Sequence, residues 1–354
     1  MGSVTGVSAK LRSSNLELLR CLSMLMIMIL HYLNPNMGGA LSGVAAGSFN
    51  RYLVYAAESL CIAGPSCFVL ISSYFLVTRE TGSLRRVVDI YLQMAFYGLA
   101  FYLMMKLAFP QNLAGGMSLR RALLPFLSGD RWFIEAYLIL YLLSPFISRA
   151  LRAISKRGYQ LLLILLFCLF TGWYSLLPNA PLPGGYSFLN FVILFCLAGY
   201  LRLHCDLSRA RFLPMAAIWV LCSAVCAVLA AKGIRRAWDY AFLPNMIGAA
   251  ALFLAFFSLK LPAARLINQL GRRTLGVFFI HADPSMPHFL YRTLLRTQLF
   301  WNSPWLLLHC AACVLGLFFL AAGIDWLRAL LFTHTLDPIL NRVRIFNLTL
   351  DPEK

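Results

Sequence analysis

Long apolar runs follow one another down the chain, at residues 16–33, 53–77, 87–109, 132–148, 159–177, 187–202, 212–231, 240–259, 274–291 and 304–331. A helix rises 1.5 Å per residue and crosses the hydrocarbon core of a bilayer in about 20 residues, so the pattern predicts an all-α bundle of about ten transmembrane helices. Helix-ending residues separate the runs: Asn34-Pro35-Asn36 with Gly38-Gly39, Gly115-Gly116, and the stretch from Pro178 to Gly185. No connection is long enough to hold a soluble domain. One membrane domain, 16–331, therefore lies between an N-terminal tail, 1–15, and a C-terminal tail, 332–354.

Composition agrees: 60% of the 354 residues are apolar and 12% are charged, which suits lipid as the surrounding solvent. The net charge of +18 suggests nucleic-acid binding only until the positions of the cations are considered. Lys and Arg fall in short clusters between apolar runs and form no basic face or tail, so they report topology and no nucleic-acid partner is expected. Their bias places both termini in the cytoplasm. Arg120, Arg121, Arg131, Lys232, Arg235 and Arg236 fall on the outer side, where they either cap helix ends or meet an anionic acceptor. Glu17 and Arg20 interrupt the first run and no small-residue cleavage site follows it, so it is a retained helix and not a signal peptide. The ten cysteines are scattered. Cys310 and Cys313 have metal-like spacing without neighbouring ligands, and no metal is expected.

Ionisable groups inside a span cost about 2.5–3.5 kcal/mol to insert, so each is a candidate for function. The first helix carries Arg20 and His31. Eleven residues at about 100° each bring them to within roughly 20° on one face, about 16 Å apart along the axis. Glu17, one turn before Arg20, can pair with it. Histidine titrates near neutrality, which makes His31 a candidate base and leaves Arg20 for binding. Glu58 and Glu135, in or near the second and fourth runs, are both able to accept the other ring proton of His31, and nothing in the sequence selects between them. His281 lies about two turns into the ninth run and can face the same cavity. Trp132, Phe133, Tyr137 and Tyr141 read either as a sugar-stacking wall or as an interfacial aromatic belt.

The first helix, from Asn15-Leu16-Glu17-Leu18-Leu19-Arg20 to Leu30-His31-Tyr32, resembles the opening helix of acyltransferase family 3, in which an Arg is followed by ten mostly apolar residues and a His. The second run, Cys67 to Leu76, is similar to a Phe-rich helix ending in Ser-Gly-Tyr, with Ser73 in place of the glycine before Tyr74. Arg85-Arg86-Val87 resembles the basic stretch that follows, although Val88 and Asp89 stand where a second Arg is often seen. Asp130 to Tyr137 with Leu142 to Phe146 is similar to a Trp-Phe-rich fourth helix. Asn268 to His281 resembles a late helix that opens on Gly-x-x-Thr and reaches a His. The matches keep their order, so the resemblance covers nearly the whole chain.

The resemblance implies transfer of an acyl group, usually acetyl from acetyl-CoA, to a hydroxyl of a glycan or another cell-envelope acceptor. It also implies residence in the inner (plasma) membrane. His31, Glu58, Glu135 and His281 are then the candidates for catalysis. Arg20, Arg85, Arg86 and Tyr74 are the candidates for holding the acyl-CoA, with guanidinium groups on its phosphates. Arg85 and Arg86 are equally explained by topology. The competing reading is a transporter or exporter of polysaccharide or lipid-linked oligosaccharide, because intramembrane charge and aromatic walls also mark substrate paths. The sequence shows no Gly-rich nucleotide loop, Gly-x-Ser-x-Gly elbow or zinc spacing.

Overall fold

The protein is described by a computed structural model over residues 13–112, 118–127, 129, 131–177, 184–343, 345 and 348–352. The Gly115-Gly116 link, Asp130 and the 178–183 part of the proline-rich link lie outside the described residues. In lipid every backbone N–H and C=O needs an internal partner, so an apolar run crosses as a helix. The helices are α1 (Ser14–Leu33), α2 (Ala40–Gly43), α3 (Phe49–Cys61), α4 (Ala63–Leu76), α5 (Leu84–Ala108), α6 (Leu119–Leu123), α7 (Trp132–Ala153) and α8 (Lys156–Leu166), then α9 (Trp173–Leu176), α10 (Phe188–His204), α11 (Phe212–Ala231), α12 (Leu243–Phe257), α13 (Arg265–His281), α14 (Leu306–His334) and α15 (Leu336–Arg342).

Among the described residues eight segments are long and apolar enough to span: α1, α3 with α4, α5, α7, Lys156–Leu176, α11, Arg235–Phe257 and α14. The 17-residue α10 is apolar but shorter, and the 17-residue α13, with three arginines in its first half, is not among these segments.

The ninth predicted run, 274–291, does not coincide with one helix: α13 covers Arg265–His281 instead. Arg265, Arg272 and Arg273 in its first half lower the local hydropathy and push a hydrophobicity-based boundary downstream. Asp283-Pro284 and Pro287 then stop the helix, since proline cannot continue the backbone ladder. His281 is therefore the last residue of its helix, where the sequence placed it two turns in.

Helix α1 is the hub, packing against α3, α4, α12, α13 and α14. It runs parallel to α13. At the proximal end, where α1 begins, Ala264 N donates to Ser14 Oγ at 3.0 Å and Ser14 Oγ donates to Asn268 Oδ1 at 3.2 Å. Farther along, Gly271 packs against Glu17, and at the distal end His31 meets His281. The outer faces of α11 and α14 leave Leu213, Leu221, Leu308, Phe319, Leu320 and Leu327 more than half exposed, as lipid-facing helices require.

A polar knot joins α5, α13 and α14 within the bundle. Asp325, 1% exposed, accepts at Oδ1 from Gln93 Nε2 (2.8 Å), Tyr97 OH (2.8 Å) and Arg328 Nε (2.9 Å), and at Oδ2 from Arg273 Nη1 (3.4 Å). Gly276 makes this approach possible, because a Cβ there would lie 2.2 Å from Asp325 Cγ. Gly276→Ala is expected to push α13 from α14 and lower stability by about 1–3 kcal/mol. An unchanged thermal midpoint of the purified variant in detergent would contradict that packing.

At the proximal end the C-terminal segment folds back. β1 (Gly82–Ser83) pairs antiparallel with β2 (Thr349–Leu350). Arg85 is held by Asp89 Oδ1 (2.7 Å), Asp337 Oδ1 (2.8 Å) and Asn341 Oδ1 (2.8 Å).

Candidate active site

The distal ends of α1 and α13 bring two histidines together. His31 and His281 have ring centroids 5.0 Å apart, with planes inclined by 41°. The parallel packing of α1 against α13 carries both terminal histidines to the same end of the bundle. His281 is fully buried and its Nδ1–H donates to Val277 O at 2.7 Å. That bond leaves the lone pair of the neutral ring on Nε2. His281 Nε2 and His31 Nδ1 are both shielded from solvent and without a hydrogen-bond partner.

His31 lines a cavity of about 210 Å³ whose other walls are Met37, Arg131, Trp132, Phe133, Ile134, Phe278, Phe279, Ala282, Pro284 and Pro287. One edge of the His31 ring, at Nδ1, is shielded from solvent, while the residue lines the cavity. Arg131 Nη2 donates to Asp283 Oδ2 at 2.7 Å, with side chains 10% and 3% exposed. Asp283 Oδ1 accepts from Ser285 N at 3.0 Å and from Ser285 Oγ. This turn fixes the carboxylate, which in turn fixes a guanidinium at the cavity wall. Sequence reasoning treated Arg131 as an outer-side cation and passed over Asp283. A carboxylate inside the predicted run 274–291 was the available signal.

The aromatic residues divide. Trp132 and Phe133 form part of the cavity wall, and Trp132 meets Tyr186 (5.4 Å) and Tyr240 (6.0 Å), which meet each other at 4.6 Å. A membrane-interface belt turns single rings toward lipid, whereas these rings face one another beside the cavity. Tyr141 lies elsewhere, with its OH accepting from Ser83 N at 3.1 Å near the proximal end.

Glu58 is buried and the intermediate Glu135 has a buried oxygen, and one oxygen of each, Oε2 and Oε1 respectively, has no hydrogen-bond partner. Neither carboxylate is bonded to His31 Nδ1, which has no partner of its own.

The proximal candidates fall into separate groups. Arg20 Nε is 3.9 Å from Glu17 Oε2, and its guanidinium lies over the Phe68 ring at 5.8 Å. Phe68 touches Phe133 (6.5 Å), Phe133 touches Phe278 (5.6 Å), and Phe278 touches His281 (5.9 Å). A continuous aromatic seam thus joins Arg20 to the histidine pair. Tyr74 OH accepts from Arg202 Nη1 at 2.9 Å, and the Arg202 guanidinium also lies over its ring. The guanidinium of Arg85 is engaged by Asp89, Asp337 and Asn341, and Arg86 is exposed. Among the described residues no group of three or more His, Cys, Asp or Glu side chains has metal-binding geometry.

Asp283→Asn is expected to leave the Arg131 guanidinium buried without its counter-charge and to lower stability by about 3–5 kcal/mol, read as a drop in the thermal midpoint. A midpoint equal to wild type would show that the pair holds nothing.

A family model described as an acyltransferase domain matches residues 13–331. No curated protein and no solved structure matches the chain.

Proposed function

Because the chain belongs to the acyltransferase 3 family and is a multi-pass membrane protein, we propose that it moves an acyl group, most simply acetyl, from acyl-CoA to a hydroxyl of a glycan or another envelope acceptor at the inner (plasma) membrane. The observation that carries this reading is that His31 and Arg131 line one mostly apolar cavity.

In this reading the acceptor hydroxyl enters from the distal side and gives its proton to His31 Nε2 as its oxygen attacks the thioester carbonyl. Arg131, held by Asp283, supplies N–H donors to the oxyanion that develops there, in surroundings of low dielectric where such donors act strongly. The C–S bond then breaks, and the CoA thiolate takes the proton back from His31. The cavity is large enough for the reacting acyl and hydroxyl groups but not for CoA. The nucleotide end of the donor therefore belongs toward the proximal end, along the seam that leads to Arg20, where guanidinium groups suit its phosphates. Arg85 joins that role only if the donor displaces the carboxylates that now hold it.

The Trp132–Tyr186–Tyr240 cluster supports a sugar ring as acceptor, since aromatic faces pack well on the C–H face of a pyranose. Trp132→Ala is expected to raise the acceptor KM about tenfold with kcat nearly unchanged, measured by steady-state acyl transfer at saturating acetyl-CoA. An unchanged KM would remove Trp132 from acceptor binding.

A further inference from the structure

We infer that His281 is the positioning residue of His31: its Nε2 accepts the hydrogen bond of His31 Nδ1–H and so fixes His31 in the tautomer whose bare Nε2 faces the cavity.

Three observations lead there. The Val277 carbonyl can only accept, so His281 carries its proton on Nδ1 and, when neutral, presents a lone pair at Nε2. The two orphaned buried atoms of the pair, His281 Nε2 and His31 Nδ1, are complementary once His31 carries its proton on Nδ1. A buried polar atom without a partner is costly, and these two satisfy each other. Finally, two imidazoles joined by an N–H···N bond of ordinary length have ring centroids about 5 Å apart, which is the spacing seen here, 5.0 Å. The two nitrogens are not bonded in the structure as it stands, and a rotation of the His31 ring about χ2 brings Nδ1–H onto Nε2.

His281 is fully buried, and the cavity wall is formed by His31 and not by His281. It therefore acts through His31. Glu58 and Glu135, the carboxylates that sequence reasoning offered for this role, are not bonded to His31 Nδ1. Arg131 and Asp283 form a charged pair beside the site, and Asp283 is engaged by Arg131 and Ser285. The chain Val277 O, His281, His31, cavity thus has the logic of a nucleophile–base–orienter array, with a histidine where such arrays often hold a carboxylate. Its consequence for catalysis rests on the acyl-transfer reading. When the acceptor O–H breaks and the C–O bond forms, the proton resides on His31 Nε2, and His281 Nε2 stabilises the resulting imidazolium until the C–S bond breaks and the thiolate removes that proton.

The test uses the full chain in detergent as wild type, His281→Phe and His281→Gln. Phenylalanine keeps the ring volume and removes the acceptor, while the glutamine amide oxygen falls near the place of Nε2. The first readout is carbethoxylation of His31 by diethyl pyrocarbonate, followed by peptide mass spectrometry, which reports the bare Nε2 without any need for turnover. The second is acyl transfer from acetyl-CoA. Labelling at His31 is expected to slow at least about threefold in His281→Phe, because the tautomer is no longer fixed, and to recover in His281→Gln. The value of kcat is expected to fall about 10²-fold in His281→Phe with KM nearly unchanged, and to be partly restored in His281→Gln. A His281→Phe protein with the wild-type thermal midpoint and wild-type labelling of His31 would overturn the inference. So would an equal loss of kcat in both variants with labelling unchanged. A wild type that labels at His31 but transfers no acyl group counts against the acyl-transfer reading, and the labelling comparison still decides the pairing.

Discussion

His31→Ala is expected to lower kcat/KM for acyl transfer by about 10³-fold, the range that general base catalysis supplies, while the protein still inserts and purifies as wild type does. The two halves of this expectation have separate causes. His31 is the histidine whose ring reaches the cavity, and no other imidazole lines it, so no neighbour takes over the proton. Structurally the ring contributes little, because it sits at the last turn of α1, away from the Asp325 knot. An alanine leaves room for water beside Arg131, which accounts for the residual rate. Acyl transfer within twofold of wild type in a well-folded His31→Ala protein would end the catalytic assignment.

Asp325→Ala is expected to be the most damaging substitution for folding. It leaves two guanidinium groups, a phenol and an amide facing one another inside the bundle, and removing one partner from a buried ion pair costs about 3–5 kcal/mol. Here three helices lose their common acceptor at once. Most of the chain is expected to be lost to degradation or to elute as aggregate from size-exclusion chromatography in detergent. Asp325→Asn keeps an acceptor oxygen and is expected to be milder. A monodisperse Asp325→Ala protein with the wild-type thermal midpoint would show that the knot does not hold α5, α13 and α14 together.

Eight of the ten predicted runs coincide with segments long and apolar enough to span, and a ninth, 187–202, with the shorter apolar helix α10, because lipid exposes the pattern directly. The run 274–291 lies nearly three turns downstream of α13, since the α13 arginines belong to the polar knot and to the proximal surface, and a hydropathy reading cannot distinguish paired charge from loop charge. The Arg20–His31 stripe followed from helix geometry alone, because both residues lie on one element. What joins elements was not legible. Asp283 and Asp325 obey the same rule that singled out Arg20, a charge inside an apolar stretch, yet Arg131 for Asp283 and Gln93, Tyr97 and Arg273 for Asp325 come from other parts of the chain, up to 232 residues away. The proximity of His281 to His31 depended on the parallel register of α1 and α13, set by Ser14 with Asn268 and by Gly271 against Glu17. The choice between Glu58 and Glu135 stayed open for the same reason.

The central claim is that this bundle carries an acyl group from a CoA thioester to an envelope hydroxyl through His31. Membranes from cells producing the wild type or His31→Ala protein can be incubated with acetyl-CoA labelled in the acetyl group, and alkali-labile label then counted in the glycan fraction. The account predicts label in the wild type and only background in His31→Ala at equal protein levels. Equal labelling by the two proteins, or none from acetyl-CoA by either, would contradict it.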